Sequence, residues 1–159
     1  MKTLTQINST TLNSLSAIDK LSFELQKQKM QHTDEGEGYS PEQADEAEKE
    51  YKRFLTLLEL YPDKPIVPNK IMDIFWHYHI LDTMKYHEDC NLVFGGYLHH
   101  YPYFGLNGEE DAQNLENAFQ ETLQLYQMVF REPMLKSEMS DAAHCKRACV
   151  SYCKRACKS

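Results

Sequence analysis

The stretch NKIMDIFWHYHILDTMKYHEDCNLVFGG, residues 69–96, decides the fold class. After Pro68 its residues predict one helix from about Asn69 to Phe94, which Gly95 and Gly96 end because glycine readily adopts the left-handed conformation found after a helix. A single helix of this length cannot bury its apolar side chains alone. The segments on either side must therefore supply the surfaces that it packs against.

Three further segments predict helices. Residues 11–30 and 111–130 both place apolar side chains three and four positions apart, which gives each one an apolar face. Between them, Ser40 and Gln43 predict a capping box at the start of a helix that ends near Leu60, before a proline-rich turn. No stretch shows the alternation of a strand. The sequence therefore predicts an all-α fold, a compact bundle of about four amphipathic helices.

Composition places the chain among globular proteins. It has 159 residues, 42% hydrophobic and 26% charged, with a net charge of −7. This size suits one domain with its own core, and the negative charge disfavours nucleic acid as a partner. We find no apolar run of the roughly 20 residues that span a bilayer and no secretory signal, so a cytoplasmic location is expected.

The C-terminal segment differs from the rest. Residues 136–159 contain the sequence CKRAC twice, at 145–149 and at 153–157, and residues 144–159 carry five basic side chains and no acidic one. We predict a helical domain over residues 1–135 and a tail over 136–159 that forms a short amphipathic helix. One face of that helix would present the four thiols of Cys145, Cys149, Cys153 and Cys157.

Four interpretations of the tail remain open. Its thiols could bind a soft metal ion, or associate with those of a second chain. Cysteines among basic residues also suit acylation and docking on a membrane or a partner. The tail could be a segment that another enzyme modifies, or its cysteines could stay reduced and idle.

The centre of the chain is rich in histidine. Five of its seven histidines lie within residues 73–105. Imidazole, carboxylate and thiolate groups in one segment favour a transition metal, namely zinc, iron or copper. The predicted ligands in this segment are His77, His79, Asp82, His99 and His100, with His79 and His100 as the leading pair. The predicted supporting residues are Asp73, Tyr86, Asp89 and Cys90.

Helical geometry limits which of these residues can act together. At about 100° per residue, His79, Asp82 and Cys90 share a face, while His77 lies nearly opposite with Asp73 one turn before it. His77 and His79 therefore cannot bind the same ion if the helix is regular. Adjacent His99 and His100 point in different directions in an extended segment, so only one of them is expected to join a given site.

The central pattern also resembles a known family. The sequence D-x-x-W-H-x-H-I-L-D-T-x-x-Y-x-x-D-C, from Asp73, is followed by F-G and by H-H-x-P-x-F-G. With matching segments upstream and downstream, it is similar over about residues 45–130 to bacterial members of the glycine-rich domain-containing protein family. The resemblance implies no reaction, and this chain, with 6 glycines, has no glycine-rich region.

Two classes of function therefore remain open. The first is metal binding by the histidines, with a tail that binds metal or mediates association. The second is a non-enzymatic interaction module whose histidines form a structural polar network and whose tail docks on a membrane or a partner. A metal-free pocket, with Cys90 and His79 as a nucleophile pair, is a further alternative. No motif of a hydrolase, zinc protease or P-loop protein is present.

Overall fold

The structure, a computed structural model, describes residues 7–134 and the backbone of residues 150–152. Within these residues it contains six helices and two short strands. In chain order the elements are α1 (Ser9–Lys20), α2 (Glu24–Gln31), α3 (Pro41–Leu60), α4 (Lys70–Leu81), α5 (Thr83–Phe94), β1 (His99–Tyr101), α6 (Gly108–Phe130) and β2 (Val150–Tyr152). The all-α prediction is confirmed, but the count of about four helices is wrong because two predicted helices are each broken in two.

The first break separates α1 from α2. Leu21 leaves the helix with a ψ of 132°, and the chain re-enters a helix after Phe23. Leu21 and Phe23 are both buried whereas Ser22 between them is exposed. An extended link places residues two apart on the same side, so both apolar side chains reach the core, which a continuous helix would not allow.

The second break lies at Asp82, inside the stretch predicted as one helix over 69–94. Asp82 has a φ of −83° and a ψ of 74°, and its carboxylate accepts a hydrogen bond from the side chain of Gln26, in α2, at 3.1 Å. The chain turns at this point, so α5 packs against both α4 and α1. A tertiary contact 56 residues away in sequence accompanies this break. Helical periodicity carries no signal of such a contact.

Both predicted helix ends are confirmed. At the start of α3, the Ser40 side chain accepts from the Gln43 backbone N–H at 3.1 Å, while the Gln43 side chain accepts from the Ser40 N–H at 2.9 Å. This is the reciprocal arrangement of a capping box. Gly95 ends α5 with a φ of 67°, the left-handed conformation that favours glycine.

The core is aromatic where α3 faces α4. The ring of Tyr51 stacks on Phe75, and Phe54 packs against Trp76 with ring centroids 5.1 Å apart. Phe23 completes this cluster from the link between α1 and α2, and contacts Tyr51 and Phe75 edge to face. These five side chains are at or near zero exposure, so α4 is held rigidly along its inner face.

A buried carboxylate links α3 to α6. Glu50 is 1% exposed and accepts hydrogen bonds from the Tyr126 hydroxyl at 2.8 and 3.0 Å. Burial raises the pKa of Glu50, and the hydrogen bond from Tyr126 and the nearby charge of Arg53 offset this only in part. Arg53 in turn lies over the rings of Tyr126 and Phe130. This network fixes the end of α6 against the bundle.

The described part of the tail forms a strand. β2 pairs antiparallel with β1, with His100 opposite Ser151 and Tyr101 opposite Val150. The predicted helix is therefore wrong for residues 150–152, where a β-branched and an aromatic residue favour a strand and the β1 backbone is available as a partner. The remainder of that prediction, and the four tail cysteines, lie outside the described residues. None of the helices described here is long and apolar enough to cross a membrane.

Candidate metal centre

Three side chains from two elements converge at the outer face of α4. Asp73 and His77 lie four residues apart, one turn apart on α4, and β1 contributes His100. The His77 and His100 Nε2 atoms are 2.9 Å apart, and Asp73 Oδ1 lies 3.2 Å from His100 Nε2 and 3.6 Å from His77 Nε2. Asp73 is buried, and His77 keeps 31% of its side chain exposed. The cluster is therefore backed by the core and open to solvent at His77.

The spacing of these three donor atoms fits a transition metal. A circle through the three atoms has a radius of about 1.9 Å, so one ion can lie about 2.0–2.1 Å from each of them, the usual zinc–nitrogen and zinc–oxygen distance. Two imidazoles and one carboxylate are also a donor set that zinc and non-haem iron enzymes use. Asp73, His77 and His100 are thus the described residues best placed to hold a metal.

A hydrogen-bonded chain from α5 fixes the position of His100. Trp76 Nε1 donates to the Tyr86 hydroxyl at 2.9 Å, and that hydroxyl donates in turn to the backbone carbonyl of Leu98. Leu98 immediately precedes β1, so this chain holds the strand against α4. The Trp76 ring also contacts the His100 ring, with centroids 4.3 Å apart. Tyr86, predicted as a supporting residue, makes these hydrogen bonds to Trp76 and Leu98 and is not one of the three grouped side chains.

His79, predicted as a leading ligand, lies in a separate and more deeply buried cluster. Its Nδ1 is 2.8 Å from the Tyr51 hydroxyl and its Nε2 is 2.8 Å from Asp89 Oδ2. Lys85 also donates to Asp89 Oδ2 at 2.8 Å. Both ring nitrogens of His79 are thus engaged, and in this arrangement they offer no free donor atom to an ion. The separation of His77 from His79, argued from helical geometry, is present in the structure.

The charges of this second cluster follow from burial and hydrogen bonding. Burial lowers the pKa of His79, and the neighbouring Asp89 offsets that only in part, which keeps the imidazole neutral. Burial raises the pKa of Asp89, but hydrogen bonds from His79 and Lys85 outweigh it and lower that pKa overall. An ionised Asp89 only accepts, so the proton of neutral His79 sits on Nε2. Tyr51 must therefore donate to Nδ1.

The other predicted residues are dispersed. Asp82 pairs with Gln26 at the helix break and takes no part in the three-residue cluster. His99 is exposed and its ring lies against Tyr97, while its neighbour His100 points inward, as strand alternation requires. Cys90 is 3% exposed and hydrogen-bonds to Tyr86. It does not pair with His79, whose nitrogens are bound elsewhere, so the arrangement of a Cys–His nucleophile is not present.

The sequence analysis missed two features of this region. Asp73 was expected only to orient His77, yet its Oδ1 also lies 3.2 Å from His100 Nε2, besides 3.6 Å from His77 Nε2. The i, i+4 spacing of Asp73 and His77 was the available signal for this. Tyr51 was not predicted at all as a partner of His79. The two residues are 28 positions apart, and no local pattern connects them.

Comparison with known proteins assigns the chain to a family. The model of the UCP032817-like family matches residues 13–134, more than half of the chain, so this protein belongs to that uncharacterised family. The resemblance to the glycine-rich domain-containing family is therefore wrong, although its motifs lie within the matched region. Searches of curated proteins and of solved structures gave no significant match.

Proposed function

We propose that this protein binds a divalent transition metal through Asp73, His77 and His100. Zinc and iron are the preferred candidates. The observation that carries the proposal is the convergence of three donor atoms, all within 3.6 Å of one another, on a common centre. Metal ligands must be held rigidly in place by the surrounding structure. Here the backing of α4 by the core and the anchoring of β1 through Leu98 supply that rigidity.

A set of three protein ligands favours an active rather than a structural role for the ion. Structural zinc sites are closed by four protein ligands, whereas catalytic sites keep one or more positions for water or substrate. His77 keeps 31% of its side chain exposed, so solvent reaches one member of the cluster. A bound ion could act there as a Lewis acid or activate a water molecule.

The proposal can be tested on the full chain after the tail cysteines have been replaced, so that their thiols cannot bind the metal. A variant with Cys145, Cys149, Cys153 and Cys157 all replaced by serine is purified in reducing buffer without chelator and analysed for metal content. It is then reconstituted with zinc, iron(II) or copper(II). Trp76, the single tryptophan, contacts the His100 ring, so its fluorescence reports binding of a paramagnetic ion directly.

Neighbouring histidines provide a matched pair of variants. In this background we expect His100→Ala to weaken binding by at least about tenfold, while His99→Ala, one residue away and exposed, leaves it unchanged. Far-UV circular dichroism confirms that both variants are folded. Stoichiometric metal in His100→Ala would contradict the proposed site. Metal present only when the four cysteines are intact would assign the metal to the tail.

A second candidate function has a specific observation in its favour. One proton on His100 Nε2 can be shared with Asp73 Oδ1 and with the lone pair of His77 Nε2, so the cluster can be satisfied without an ion. It would then be a structural network that fixes β1 to α4 in a protein whose tail docks on a membrane or a partner. Failure to take up any of the three metals, with His100→Ala still lowering the melting temperature, would support this alternative.

A further inference from the structure

A row of oxidisable side chains leads from the proposed metal centre to the protein surface. The Trp76 ring lies against the His100 ring, with centroids 4.3 Å apart. Trp76 Nε1 donates to the Tyr86 hydroxyl at 2.9 Å. The Tyr86 ring meets the Tyr97 ring edge to face at a centroid distance of 5.3 Å. Each member of this aromatic row (Trp76, Tyr86 and Tyr97) therefore contacts the next, and the first contacts a proposed metal ligand.

Burial changes along the aromatic row. Trp76 is fully buried and Tyr86 is 1% exposed, whereas Tyr97 is 43% exposed. Indole and phenol groups lose an electron far more readily than phenylalanine does. Phe54, which packs against another side of Trp76, therefore does not continue the row towards α3. An oxidising equivalent that reaches Trp76 can thus travel through Tyr86 to solvent at Tyr97.

The phenolic proton decides where a radical can form. A tyrosine that loses an electron becomes a strong acid and must give its proton to water or to a base. Tyr86 donates to the backbone carbonyl of Leu98, which is too weak a base to take the proton. The Cys90 thiol, which also hydrogen-bonds to Tyr86, is 3% exposed and is similarly shut off from water. Tyr97 is the member of the row whose proton can leave to solvent, and Tyr86 serves as a bridge.

We propose that the centre, when it holds iron(II), reduces hydrogen peroxide and draws one of the two electrons from Tyr97 through the aromatic row. This inference rests on the metal centre proposed above. Two histidines and one carboxylate are the ligands of many non-haem iron(II) oxygenases, and such iron supports one-electron chemistry. His77 keeps 31% of its side chain exposed, so a molecule as small as peroxide reaches the cluster from solvent.

The overall step balances without a further reductant. The O–O bond of hydrogen peroxide breaks and takes up two electrons and two protons, which gives two water molecules. Iron(II) supplies one electron and becomes iron(III). Tyr97 supplies the other electron and releases its phenolic proton, which leaves a neutral tyrosyl radical. The second proton comes from solvent.

The test uses the full chain with its four tail cysteines replaced by serine, loaded with iron(II) in the absence of oxygen. Iron content is measured first. An equimolar amount of hydrogen peroxide is then added with a nitroso spin trap, and mass spectrometry locates the adducts. We expect more adduct at Tyr97 than at Tyr103. Exposure alone would give the opposite order, because Tyr103 is 62% exposed and Tyr97 is 43% exposed. More adduct at Tyr103 would indicate freely diffusing radicals and overturn the proposal.

Three variants test the path. Trp76→Phe interrupts the aromatic row and should abolish the Tyr97 adduct while iron stays bound. Tyr97→Phe removes only an exposed hydroxyl and should abolish the tyrosyl signal in electron paramagnetic resonance spectra of samples frozen after peroxide addition. Tyr103→Phe is the matched control and should keep that signal. Circular dichroism checks the fold of the Trp76 variant, and Tyr97→Phe keeps the test decisive if that variant does not fold.

The iron content separates failure of this inference from failure of the metal centre. Iron bound at His100 without a radical at Tyr97, or an unchanged signal in Tyr97→Phe, would overturn the aromatic row as an electron path and leave the metal centre standing. Binding of zinc but not iron would have the same effect. Absence of any bound metal would overturn both proposals.

Discussion

Replacing Tyr51 by phenylalanine removes a single oxygen atom from the centre of the bundle, and we expect a large loss of stability. The Tyr51 hydroxyl donates to His79 Nδ1 across 2.8 Å, and both residues are at most 2% exposed. In the variant the nitrogen stays buried and loses its donor, because Asp89 occupies the other side of the ring. The ring of residue 51 keeps its packing against Phe75, so the change isolates the hydrogen bond.

The expected magnitude follows from the cost of an orphaned buried acceptor. Leaving such a group without a partner costs about 1–3 kcal/mol in the free energy of unfolding. With a urea m-value of about 2 kcal/mol/M, the unfolding midpoint should fall by about 0.5–1.5 M. The measurement is equilibrium urea unfolding followed by circular dichroism. The m-value should be unchanged, since the variant exposes the same surface on unfolding.

A second tyrosine provides the control. Tyr103 is 62% exposed, so Tyr103→Phe removes a hydroxyl that water already solvates and should change stability by less than about 0.5 kcal/mol. If Tyr51→Phe lies within the same narrow range as this control, the hydrogen bond to His79 does not contribute as the geometry implies. The assignment of the His79 tautomer would then have to be abandoned.

Other consequences of the fold can be measured in the same way. Burial raises the pKa of Glu50 above its unfolded value, so the native state binds the extra proton and stability falls as pH rises from about 4.5 through the native pKa. Glu50→Gln should remove that fall in urea titrations across pH 4–8, whereas Glu35→Gln, in an exposed loop, should keep it. Gly95→Ala should lower stability by about 1–2 kcal/mol, because an alanine at a φ of 67° is strained although nothing blocks its Cβ, and thermal melting should show no such loss for Gly96→Ala. Ser40→Ala should cost about 1 kcal/mol by loss of the capping box, and an unchanged melting temperature would contradict the reading of that helix start.

The helix ends were predictable because they depend on residues next to one another in sequence. The capping box of Ser40 and Gln43 and the stop at Gly95 both follow from local chemistry, and both are present. The breaks at Leu21–Phe23 and at Asp82 were not predictable in this way. Each break accompanies a contact that exists only in the packed structure. At the first, Leu21 and Phe23 are both buried in the core, and at the second, Asp82 accepts a hydrogen bond from Gln26.

The candidate site was likewise predictable from the sequence only where local properties were sufficient. Histidine content and helical spacing placed a polar cluster on α4 and separated His77 from His79, because both inferences need only composition and a 100° rotation per residue. The position of β1 against α4 decided which histidine of the 99–100 pair turns inward. It also placed His100 Nε2 beside Asp73 Oδ1, which sequence spacing had paired only with His77. The sequence by itself determined an all-α chain with a histidine-rich segment, since periodicity and composition are local properties. The tertiary structure alone decided which side chains share a centre. His100 is 23 and 27 positions from His77 and Asp73 in sequence, so its distance from them is fixed only when β1 packs against α4.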